Sequence, residues 1–189
     1  DKYLRPQASG VNPDVMAVQK MLIPTTADAR RNFGFTTVLS VPRDGQWQGV
    51  SALVNLRPGS ASEAVVLSSV AMHVNFNLTG GGFGAVGGPR YPSSLMGVFA
   101  VLRQSLIKAQ QYREMQKLYE SSGRNGLPRP GYDAISEALL PVLDGKLPVV
   151  FSADSAEQIR RAIRFADEFK LRPIILGGAE AWRVADVLK

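Results

Sequence analysis

Four positions in this chain carry groups whose type and placement could support chemistry: His73, Ser152, Asp154 and Gly177. His73 is the sole histidine and there is no cysteine. By itself, the chain therefore cannot build a multi-histidine zinc centre, a thiolate nucleophile or a Ser-His-Asp triad supported by a second histidine. Within residues 71–76, a lone histidine reads either as a packed, hydrogen-bonded strand residue or as a ligand. Ser152 and Asp154 stand just past the apolar run 147–151, and Gly177 just past a second run, 172–176. If both runs are parallel strands, these residues occupy carboxyl ends, where βα barrels hold their catalytic groups. Asp154 has a competing role as a helix cap, and Ser152 as either a turn former or a pocket wall. These four are candidate rim residues; no catalytic residue and no metal-ligand set is assigned.

A fifth feature, Gly82-Phe83-Gly84-Ala85-Val86-Gly87, spells the G-x-G-x-x-G of dinucleotide sites. Such a site needs a helix beginning at the glycines and a carboxylate about 20 positions later for the ribose. Here Gly88-Pro89-Arg90-Tyr91-Pro92 interrupts, and no carboxylate follows until Glu114. A flexible loop without NAD or ATP binding is the expectation.

The elements that must position the rim residues follow from apolar periodicity. Residues 133–143 space Ile135, Ala138, Leu139 and Val142 at helical intervals, and the run 147–151 suits a strand buried on both faces. Asp154 with Glu157 makes a capping-box pattern. Ile159, Ala162, Ile163, Ala166 and Phe169 then form one stripe of a helix over 155–169. After the strand 172–176, Gly177-Gly178 turns the chain, and Ala181, Trp182, Val184, Ala185 and Leu188 line a last helix. Two successive strand-loop-helix units imply a parallel sheet, because a helix must carry the chain back between parallel strands.

Upstream, Asn12-Pro13 opens a short helix through Val15, Val18, Gln19 and Leu22 to Pro24, and Thr25 or Thr26 opens another ending near Gly34. Residues 36–41 read as a β-branched strand closed by Pro42 and an Asp44-Gly45 turn. Residues 47–56 and 64–76 read as extended, with 61–71 open to partial helix. A long Gly-rich loop, 78–94, is either functional or mobile. Ser93 or Ser94 caps the longest helix, running to about Ser121, and 122–131 is a linker. Residues 1–189 are read as one α/β domain or part of one.

The net charge of +6 raises nucleic acid as a partner. Its bases are dispersed, however, and Arg160, Arg161, Arg164, Lys170 and Arg172 fall largely on the polar side of one helix and its exit, a solvated face. Aromatics are not interleaved with them, so no nucleic-acid partner is expected. No apolar run of about 18 residues is present and no membrane partner is expected.

Beyond these derivations, Phe33-Gly34-Phe35-Thr36-Thr37-Val38, then Gln48-Gly49-Val50-Ser51-Ala52-Leu53-Val54-Asn55-Leu56, then 138–151 and 162–188 resemble the middle of metal-dependent amidohydrolases of the imidazolonepropionase-like group. The resemblance spans most of the chain and is most specific in 159–188. It implies a partial (β/α)8 TIM barrel of the metallo-dependent hydrolase type. It also implies hydrolysis of carbon–nitrogen bonds other than peptide bonds, a small-molecule substrate, and one or two divalent metals such as zinc that activate water. The family places histidine ligands where Ser152 and Gly177 stand, and its first-strand His-x-His and late aspartate have no counterpart here. A barrel takes about 250 residues, so the expectation is an internal segment that is inactive and cofactor-free in isolation and that self-associates or pairs with the rest of the barrel. The alternative is a catalytically inactive paralogue serving as a binding or assembly module.

Overall fold

The computed structural model describes residues 10–20, 27–57, 61–77, 92–123, 126 and 128–188. The G-x-G-x-x-G stretch Gly82–Gly87, and with it the dinucleotide question, lies outside the described residues. In chain order the elements are α1 (Ala17–Lys20), α2 (Ala27–Asn32), β1 (Thr37–Ser40), β2 (Trp47–Val50), β3 (Ala52–Asn55), α3 (Ala61–Ala64), β4 (Val65–Leu67), β5 (Met72–Asn75), α4 (Leu95–Ser121), α5 (Ala134–Leu143), β6 (Val149–Ala153), α6 (Ala156–Phe169) and β7 (Pro173–Gly177). One 3-10 turn, Ala181–Val184, follows. None of the described helices is long and apolar enough to cross a membrane.

The strands form two sheets, ordered β1-β3-β4 and β2-β5-β6-β7. In the second, β5, β6 and β7 are parallel neighbours, with Val149 opposite both Met72 and Pro173. The chain returns from β5 to β6 through α4 and α5, and from β6 to β7 through α6, as expected for βα units. Alternation sends Met72, Val74 and Phe76, with Val149 and Phe151, to one face. There they pack against Val98, Leu102 and Leu106 of α4, Leu139 and Val142 of α5, and Ala162, Phe165 and Ala166 of α6. Phe165 joins this core although the stripe read from the sequence omitted it.

Two expectations are corrected. The strand read at 36–41 does not join the parallel sheet that the strand-loop-helix units imply. Instead β1 pairs antiparallel with β3, Val38 opposite Val54, where Ala17, Ala52, Val54 and Ala64 make a separate small core. β-Branched alternation selects an extended conformation but carries no label for the partner. The last helix, expected over 179–188, is a single 3-10 turn in which only Val184 is buried and Trp182 is 78% exposed. A one-turn helix gains too little buried surface there to offset the cost of nucleation.

Candidate functional site

Strand β6 runs two residues further than the apolar run suggested, so Ser152 and Ala153 are part of the strand and the cap moves with them. Ser155, not Asp154, caps α6: its Oγ accepts from the Gln158 amide at 3.3 Å, while Gln158 Oε1 accepts from the Asp154 and Ser155 amides at 3.0 and 3.2 Å. The capping box is real but displaced by one residue from the Asp154/Glu157 pair.

The loop after β7 is tied to the loop after β6. The Gly178 amide donates to the Ala153 carbonyl at 2.9 Å and the Glu180 amide to the Asp154 carbonyl at 2.9 Å. In return, Glu180 Oε2 accepts from the Ala156 amide at 2.9 Å. That bond at the α6 amino end, with the Arg183 charge at 3.2 Å, holds the Glu180 carboxyl below its usual range. The exposed Asp154 carboxylate lies against Gly177, which adopts φ +99°. A Cβ at Gly177 would collide with Asp154 Oδ1.

Thus the structure brings Asp154 and Gly177 together and puts Ser152 one step back on β6, half-buried, paired with Asn75 on β5 and Leu176 on β7. His73 is not at the rim. It lies two residues deeper on β5, opposite Val150 and 2% exposed, and burial lowers its pKa to about 4, leaving a neutral imidazole at pH 7. Asn75 was missed by the sequence reading. Its signal was the alternation with His73, which puts both on one sheet face.

The comparison with solved structures finds a crystal structure of an amidohydrolase from Thermotoga maritima MSB8, with a TM-score of 0.81 and 25% sequence identity. The chain resembles that amidohydrolase in fold. The similarity covers 96% of this chain and 47% of that one, so the chain spans about half the length of the solved relative. No family model and no curated protein matches. The amidohydrolase-like resemblance and the hydrolase-like α/β fold expected from the sequence are supported.

The rim does not supply, among the described residues, a donor set that fits a catalytic metal. Among the described residues, no three His, Cys, Asp or Glu side chains come together, whereas a catalytic zinc needs about three protein donors. Position 177 is worse than empty of a donor, because its backbone disfavours any side chain and Asp154 fills the space beside it. Gly177→Ala is expected to cost about 1–2 kcal/mol from the left-handed backbone alone, plus a collision term that Asp154→Gly removes. Urea melts of the two single variants and the double variant check this; strictly additive costs would show that Asp154 and Gly177 do not interact.

Proposed function

We propose that this chain forms part of an amidohydrolase-like (β/α)8 barrel of the imidazolonepropionase-like group. The complete protein would act on carbon–nitrogen bonds other than peptide bonds in a small-molecule substrate. One observation carries the reading: in the parallel order β5-β6-β7 the edge strand β7 presents Ile174 and Leu176, which are 47% and 53% exposed, whereas His73 and Val150 on the same face of β5 and β6 are buried. Apolar residues of that size on an exposed, unpaired edge strand call for a further strand and cover beside it. Further βα units would supply it and close the sheet. By this proposal β6 and β7 contribute no metal ligand, so the chain alone cleaves neither amides nor lactams. The occupied space at Gly177 also favours the second reading, a binding or assembly module built on the same fold.

Light scattering is the test. The chain should self-associate through the exposed β7 edge, and Ile174→Lys should shift it toward monomer. A monodisperse monomer from the unmodified chain, with a cooperative melt, would overturn the incomplete-barrel reading.

A further inference from the structure

Away from the strand ends, the second half of α4 and the connection entering α5 enclose a cleft of about 870 Å³, within the size range of small-molecule sites. It begins about 20 Å further along α4 than Phe99, which stacks on Phe76 just past β5. The cleft is therefore separate from the rim. Tyr112, Tyr119 and Glu120 stand at i, i+7 and i+8, on one face of α4. The facing wall supplies Arg129, Tyr132 and, from the first turn of α5, Glu137. Tyr112 is 9% exposed and its hydroxyl donates to the Glu137 carboxylate, which ties the two walls together. Tyr119 is half-buried and Tyr132 exposed, and among the described residues neither ring packs on another aromatic. The bases near this cleft are engaged elsewhere. Arg113 and Lys117 reach Glu114, and Arg113 and Lys146 reach Asp144. Among the described residues Glu120 and Glu137 are in no ion pair, and neither is Arg129.

We propose that this cleft binds a small organic cation bearing an N-alkylated ammonium group, held by the tyrosine rings and by the Glu120 and Glu137 carboxylates. Aromatic rings attract a weakly hydrated cation through their negative faces, and the carboxylates supply its counter-charge. The same lining rejects the other charged classes. A hard metal ion takes six or more oxygen donors, whereas among the described residues no three His, Cys, Asp or Glu side chains gather. An anion would meet two carboxylates against one guanidinium. Arg129 works against the cation too, so its removal should tighten binding. Nothing in this site depends on the amidohydrolase-like reading, and no bond is made or broken there.

The probe is choline, titrated at fixed ionic strength into isotope-labelled chain and followed by NMR. Neohexyl alcohol, which has the shape of choline without its charge, is the comparator. Both the unmodified chain and Ile174→Lys are titrated, so that association cannot mask binding. Saturable shifts of the Tyr119 and Tyr132 ring resonances are expected with choline, and binding of the alcohol should be at least about tenfold weaker. Glu137→Gln and Tyr132→Leu, both at exposed positions, should each weaken choline binding roughly two- to fivefold. Arg129→Gln should tighten it roughly twofold. Non-saturating shifts in both chains, equal affinity for the uncharged alcohol, or weaker choline binding by Arg129→Gln would overturn the proposal.

Discussion

Phe151→Ala is expected to destabilise the chain by about 4 kcal/mol. Phe151 is 0% exposed at the centre of β6, the middle of the three parallel strands. Its ring stacks on Phe76 at 5.7 Å and meets Phe165 of α6 edge-on at 6.1 Å. Removing it therefore separates a strand from a helix and opens a cavity that neither flanking strand can collapse into, since both are held in register. Total stability of a domain this size is about 5–15 kcal/mol, so much of it would go. Phe151→Leu keeps most of the volume and should lose far less. Urea unfolding monitored by circular dichroism reads both; a loss below about 1 kcal/mol for the alanine variant would mean that the core is not organised around this ring.

Acidification supplies the second large effect. An imidazole whose folded pKa is lowered to about 4 from 6.5 binds its proton more weakly folded than unfolded. Stability is then intact above about pH 6.5, falls as pH drops toward 4, and levels off below that. The full loss is about 3 kcal/mol. Replacing His73 by leucine should remove this component, so that the difference between native and variant chains shrinks or grows with pH only inside that window. Parallel pH-dependent melts check it. An identical acid profile for the two chains would show that His73 protonates as easily folded as unfolded, and would contradict its burial.

Much of the fold could be read from residues because it rests on local pattern. The α6 stripe, the apolar strand runs and the serine cap of α4 are written within a few positions of where they act. The errors came from choices that depend on distant chain. Asp154/Glu157 and Ser155/Gln158 both fit the capping pattern, and the second prevails because β6 extends to Ala153, whose carbonyl is held by the Gly178 amide. Likewise β1 has the composition of a strand for either sheet, and only the pairing with β3 decides. The strand-end positions of Ser152 and Gly177 were legible from the apolar runs that precede them. Asn75 and the Asp154–Gly177 encounter required the register between strands, which no single segment contains.

The hydrogen bonds joining residues 153–156 to residues 178–180 have a consequence for how this protein can diversify. Folds of alternating strand and helix change chemistry readily because each connecting loop can be rewritten without disturbing its neighbours. Here two adjacent connections share a carboxylate and two carbonyls, so they form one inherited unit. A lineage that acquired a bulkier residue after β7 would need a matching loss after β6, and such changes should arrive in pairs or not at all.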